Sequence, residues 1–174
     1  MSRVYKIVVT GPFNSGKTAF IRTISDIDVV MTERRITTAE RGIKALTTVA
    51  MDYGRVELDG RILHLYGTPG QARFDFMWEI LAREMSGFIV LADSTDPASF
   101  PETGELISTF SVLQTVPYLV AANKADLRGA VSLAQVRRAA GVSPNITVMP
   151  CVAIHKTSVR QVLQQLIALI DGAW

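Results

Sequence analysis

Apolar and polar positions alternate in two ways along this chain, and together they predict its elements. Continuous apolar runs at 3–10, 87–92, 117–122 and 146–152 have the length of strands buried on both faces, and segments of three- and four-residue spacing separate them. A helix is expected over about 17–25. The last helix carries Val159, Val162, Leu163, Leu166, Ile167 and Ile170 on one face, with Thr157 or Ser158 as its cap and its end near Gly172. Between residues 48 and 66 two short extended runs meet at Leu58-Asp59-Gly60-Arg61, where Asp-Gly signals a hairpin, so one antiparallel edge strand is expected there. Residues 27–47 show no strong period and are expected to form the longest loop. The pattern predicts one α/β domain over 1–174: a six-stranded, mostly parallel sheet with one antiparallel edge strand and helices on both faces.

Composition narrows the classes of function. At 174 residues and 48% hydrophobic content the chain can bury a sheet on both sides. It has no apolar stretch near the roughly 20 residues of a membrane span, and no secretory start or lipidation signal, so a cytoplasmic protein is expected. One cysteine, Cys151, makes an intrachain disulfide impossible. The net charge of +2, with basic residues grouped only at Arg34, Arg35, Arg41 and Lys44, is too small for a nucleic-acid footprint.

Two motifs carry chemistry. Gly11-Pro12-Phe13-Asn14-Ser15-Gly16-Lys17-Thr18 fits GxxxxGK[ST], the phosphate-binding P-loop, between a predicted strand and a predicted helix. Backbone N–H groups of such a turn converge where the helix dipole favours an anion, which places a polyphosphate against Asn14 to Ala19. Lys17 is expected to reach the β- and γ-phosphates, and the Thr18 hydroxyl to ligate Mg²⁺. Asn123-Lys124-Ala125-Asp126 follows a predicted strand, at the sheet edge where open α/β folds bind ligands. Asp126 can accept two hydrogen bonds from the N1–H and 2-amino group of guanine, a donor pair that adenine lacks. Asn123 can bridge ring and P-loop, and the Lys124 stem can lie along the base.

These two motifs and Gly67-Thr68-Pro69-Gly70-Gln71, in this order, resemble the Ras-like small GTPases over essentially the whole chain. The GTPGQ stretch and Thr47-Thr48-Val49-Ala50-Met51-Asp52-Tyr53-Gly54 look like a prokaryotic branch, the MglA-like GTPases and those encoded beside roadblock-type proteins. The resemblance implies the P-loop NTPase fold, GTP or GDP with Mg²⁺ as ligands, and a roadblock-type regulator or effector. It makes Thr48 the switch threonine that ligates Mg²⁺ and senses the γ-phosphate. Gly70 becomes a γ-phosphate contact, Gln71 the residue that orients the attacking water, and Ala153 the one match to the late loop that meets the purine oxygen.

The departures are as informative. Gly67 stands where most Ras-like proteins have the aspartate that holds Mg²⁺ through its hydration shell, and the substitute expected is Asp52, four residues past Thr48. The resemblance to the MglA-like branch implies the same replacement; otherwise Asp52 is a polar residue on an exposed edge. Phe13 occupies a usually small P-loop position, and Thr47 stands where MglA-like proteins carry their own arginine, so intrinsic hydrolysis is expected to be slow. Phe74, Met77, Trp78, Leu81 and Met85 share a helical face assigned to the core, whereas Phe76 and Ile80 lie off it, as an exposed partner patch or under neighbouring elements. His64 and His155 lack ligand spacing and are read as structural. A GTP-hydrolysing switch is the leading expectation. A GTP- or GDP-binding module without useful turnover and an ATP-dependent kinase with an accidental NKAD are the alternatives.

Overall fold

The computed structural model describes residues 2–38, 45–69 and 76–173, with the backbone alone at 31–38, 45–50 and 76. Strand β1 (Arg3–Thr10) leads to helix α1 (Lys17–Ile24), followed by β2 (Val30–Thr38), β3 (Ala45–Leu58), β4 (Arg61–Gly67) and α2 (Phe76–Ala82). Then come β5 (Gly87–Asp93), a single 3-10 turn (Pro97–Ser99), α3 (Phe100–Leu113), β6 (Tyr118–Asn123), α4 (Leu133–Ala140), β7 (Val148–Pro150) and α5 (Lys156–Gly172). The sheet order is β2-β3-β4-β1-β5-β6-β7, parallel from β4 through β7 and antiparallel across β2–β3 and β3–β4. The α/β architecture of a P-loop small G-protein is present, with its six expected strands and β3 running against the rest.

Beyond β3 the sheet continues by a seventh strand, β2, which corrects the expectation of a long loop over 27–47. That stretch lacks a hydrophobic period but holds Val30, Thr32, Ile36, Thr37 and Thr38, and pairing from Val30 opposite Tyr53 to Thr38 opposite Ala45 satisfies the main-chain groups of both strands. Edge pairing outweighs the missing pattern.

Alternation within the apolar runs separates two core layers. Ile7, Val9, Leu63, Leu65, Ile89 and Leu91 face α1 and α5, while Val8, Phe88 and Val90 face α2, α3 and α4. Helix α5 buries the six residues expected of it, roughly 9–18 kcal/mol of gross hydrophobic stabilisation as an upper bound. It starts two or three residues earlier than expected, with His155 as N-cap, because the Ser158 hydroxyl accepts a hydrogen bond from Val152 N–H at 2.8 Å instead. Side-chain contacts tie α5 to β1 and to the β3–β4 hairpin. Asp171 accepts from the Tyr5 hydroxyl and pairs with Arg61, and Gln164 donates to Asp59 at 3.0 Å.

In α2, Met77 and Leu81 are buried, as is Met85 just beyond its end. Trp78 is half-buried with its ring 5.8 Å from that of Phe110, and Ile80 is 42% exposed. Phe74 lies outside the described residues.

Candidate functional site

Parallel register brings five chain segments to one edge of the sheet. Val9 pairs with Gly67, Thr10 with Val90, Asp93 with Asn123 and Ala122 with Pro150, so the loops after β1, β4, β5, β6 and β7 all open at the strands' carboxyl ends. After β1 the chain turns through Asn14 (φ 65°) and Gly16 (φ 105°) into α1. Gly16 caps that helix in the left-handed region without a side-chain hydrogen bond, and no acidic residue occupies the first turn. A Cβ at Gly16 would stand 2.3 Å from the Asn123 side-chain nitrogen, so no other residue fits.

Lys17 is buried, and its ammonium donates to the carbonyls of Gly11 at 2.6 Å and Pro12 at 3.0 Å. Burial pushes its pKa down to about 8 against the opposing attraction of Glu102 and Asp52. The Ser15 hydroxyl is fully buried with no hydrogen-bond partner. Uncapped N–H groups, a buried cation with carbonyl partners and an orphaned hydroxyl converge on this turn, a donor set suited to phosphate oxygens.

Beside it, the Thr18 hydroxyl donates to Asp52 Oδ2. Asp52 reaches this place from β3 because it is paired directly with Gly67 of β4. A Cβ at residue 67 would lie 3.3 Å from Asp52 Cβ and 3.6 Å from Asp52 Oδ2, so the space left by the absent side chain is the space Asp52 uses. Hydroxyl and carboxylate oxygens are hard donors, appropriate to Mg²⁺. Among the described residues no cluster of three or more His, Cys, Asp or Glu offers another metal site. Neither histidine takes part: His64 Nδ1 is 2.6 Å from the Tyr53 hydroxyl, and His155 caps α5.

The structure does not bring Thr48 to this pair. It lies four positions before Asp52 in the same extended strand, about 13 Å away along the chain. Gly70 and Gln71 lie outside the described residues. The stretch leading to them is anchored, since Thr68 N–H donates to the Val9 carbonyl at 3.0 Å and its hydroxyl to Thr10 at 2.9 Å.

Asn123 joins the base-side loops to the P-loop. Its side-chain nitrogen donates to the Ser15 carbonyl at 2.8 Å, and its oxygen accepts from Ala153 N–H at 2.9 Å, with the residue itself 3% exposed. Lys124 takes a left-handed backbone (φ 60°) and its ammonium pairs with Asp93 at 2.6 Å. Asp126 is exposed at the mouth of the same loop. Sequence reasoning missed Asp93. Burial alone would raise its carboxyl pKa, but Lys124 and the hydroxyl and N–H of Thr95 outweigh that and hold it below the ordinary carboxylate value. The available signal was an acid closing the apolar run 87–92, level with Asn123 on the neighbouring strand. Cys151 is buried between these loops, where it exchanges main-chain hydrogen bonds with Ala122 and Ala125, and burial pushes its thiol up to about 11.

Fold and phosphate cradle together are those of the P-loop small G-protein class. The chain belongs to the family described as conserved hypothetical ATP binding protein, whose model matches residues 25–133. That stretch begins after the P-loop and includes Asp52, Asn123, Lys124 and Asp126. An uncharacterized protein of Methanocaldococcus jannaschii is 31% identical over 122 residues, 70% of this chain and 71% of that protein. Human ADP-ribosylation factor-related protein 1 is 29% identical over 141 residues, 78% of this chain and 66% of its own length. ADP-ribosylation factor-like protein 8d of Arabidopsis thaliana is 28% identical over 142 residues, covering 79% and 73% of the two chains. Among the described residues no helix is long and apolar enough to cross a membrane.

Proposed function

We propose that this chain is a guanine-nucleotide-binding molecular switch that slowly hydrolyses GTP to GDP under the control of a partner protein. The observation that carries the reading is the Asn123 bridge, which locks the segment bearing Lys124 and Asp126 to both the P-loop and the loop of Ala153. Phosphate cradle and base-reading loop are thereby one rigid unit. The family description names ATP, but Asp126 favours guanine, since its carboxylate is exposed at the mouth and adenine has no donor pair to meet it. Competition of GDP and ADP for the purified chain tests this. Tight GDP binding with no ADP binding is expected, and Asp126→Asn shifts preference toward xanthine nucleotides. Equal competition by ADP would refute guanine specificity.

In this reading Thr18 and Asp52 hold Mg²⁺, which would neutralise phosphate charge, and Lys17 moves from the Gly11 and Pro12 carbonyls to the β- and γ-phosphate oxygens. Thr48 joins them only when the first part of β3 leaves its pairing with β2, and that rearrangement is the switch. Gly70 contacts the γ-phosphate and Gln71 orients water. Full single-turnover hydrolysis by Gln71→Leu would remove Gln71 from the mechanism.

The second reading, a GTP- or GDP-holding module with little turnover, draws support from Phe13, 68% exposed at the lip of the P-loop where a catalytic arginine would enter, and from Thr47 in place of an arginine. Phosphate release above background from the chain with Mg²⁺ excludes it. A roadblock-type protein is the proposed partner, by resemblance to the MglA-like branch. Acceleration of turnover by it marks a regulator, and binding without acceleration an effector.

A further inference from the structure

Away from the nucleotide-binding edge, α4 and the 3-10 turn before α3 border an open groove of about 270 Å³ lined by Pro97, Phe100, Val131, Gln135, Arg138 and Ala139. Its floor is Phe100, itself 2% exposed. The groove is preformed. Val131 N–H donates to the Ser94 carbonyl at 2.9 Å, and Ser132 with Gln135 forms a reciprocal capping box that fixes the start of α4. Gln135 Oε1 is engaged in that box, which leaves its amide nitrogen as a donor at the rim.

The two arginines that end α4 differ in use. Arg137 donates to the carbonyls of Ser143 at 2.7 Å and Ile146 at 2.9 Å, whereas the Arg138 side chain is exposed and makes no hydrogen bond or ion pair among the described residues. Arg138 also borders the neighbouring depression of about 610 Å³ along α4, so it stands on the ridge between two hollows. Along its own part of the chain, from residue 127 to residue 170, the sequence contains Arg128, Arg137, Arg138, Lys156 and Arg160 and no Asp or Glu.

From these observations we propose that the α3–α4 groove is a docking site for an acidic segment of a partner protein, which seats one large apolar side chain over Phe100 and sets a carboxylate on Arg138. A groove of this size falls just below the range of sites that enclose a whole small-molecule ligand, about 300–1,000 Å³, and suits a single anchor side chain. Of the residues that line the groove Arg138 alone is charged, so the polar group it accepts is an anion.

Phenylacetate, an apolar ring bearing one carboxylate, is the probe. Titrated into the ¹⁵N-labelled full chain, it is expected to move the amides of Phe100, Val131, Arg138 and Ala139 in a saturable manner, while the neutral phenylacetamide does so at least about ten-fold more weakly. Arg138→Gln is exposed and is expected to fold normally and weaken phenylacetate by about the same factor. Ala139→Trp fills the groove while keeping Arg138, and is expected to abolish the shifts. Shifts that are absent, spread over the basic surface, or unchanged in Arg138→Gln would overturn the proposal. So would Arg138-dependent co-sedimentation with phosphatidylglycerol vesicles in the absence of a phenylacetate effect, which would make this face a lipid-binding surface.

Discussion

Moving the metal-side carboxylate between strands tests the Asp52 arrangement directly. A divalent cation and a carboxylate about 4 Å apart attract by about 2 kcal/mol in the fully solvated limit and several-fold more at the effective dielectric of a partly buried site. Asp52→Ala is therefore expected to raise the Mg²⁺ concentration needed to retain GDP by about thirty-fold or more. Gly67→Asp alone places a second carboxylate beside the first, since Cβ at 67 would be only 3.6 Å from Asp52 Oδ2. Like charges at that range repel by about 1–4 kcal/mol, and Cβ at 67 also stands 3.1 Å from Ile21 Cδ1, so this variant is expected to lose stability. In the double variant Asp52→Ala, Gly67→Asp the carboxylate repulsion is removed, the approach to Ile21 Cδ1 remains as a stability cost, and the charge returns beside Thr18 from β4. Its Mg²⁺ requirement is expected to recover most of the loss. The assay is dissociation of a fluorescent GDP analogue across a Mg²⁺ titration, with urea unfolding as the stability control. An Asp52→Ala chain with unaltered Mg²⁺ dependence, or a double variant no better than Asp52→Ala, would refute the reasoning.

Asn123→Ala strands the Ser15 carbonyl and Ala153 N–H in a buried place, at about 1–3 kcal/mol for each. Urea unfolding is expected to show a loss of that order and GDP titration a matching loss of affinity, and a neutral result would mean that the bridge is not structural. Because phosphate binding favours charged Lys17, GDP affinity is expected to be flat below a pH of about 8 and to fall up to ten-fold per unit above it. Calorimetry between pH 7 and 9.5 shows this, with Lys17→Met losing the dependence. For the unliganded fold the sign is reversed. Charging Lys17 is harder in the folded chain than in the unfolded one, so this group adds stability as pH rises from about 8 toward 10.5. Gly104→Ala is expected to destabilise by about 1–3 kcal/mol despite the better helix former, since its Cβ would lie 2.6 Å from the Ala140 carbonyl oxygen; a gain in urea stability would contradict the close α3–α4 approach.

The sheet was legible because both of its faces are covered: runs such as 87–92 are apolar throughout, and a parallel strand buried on two sides has no polar position to conceal it. The phosphate cradle was legible because Gly16 and Lys17 sit where nothing else works. Strand β2 was not, since an edge strand gains from main-chain pairing rather than from a periodic apolar face. Asp93 was missed for a related reason: a single acid has no motif, and its role arises only when β5 and β6 align it with Asn123. The sequence places Thr48 and Asp52 four residues apart, which reads as proximity, but in an extended strand it is distance. The cap of α5 shifted because Ser158 found a tertiary partner in Val152 N–H.

The seating of Cys151 has a practical consequence. Its buried, un-ionised thiol lies at the junction of the loops that hold Asn123 and Ala153, so a thiol reagent reaches it only when that end of the molecule opens. As the chain's sole sulfhydryl it is a native clock: the rate of its reaction with a disulfide reagent reads out local opening without any introduced label, and a nucleotide bound at this edge is expected to slow that clock in proportion to its affinity.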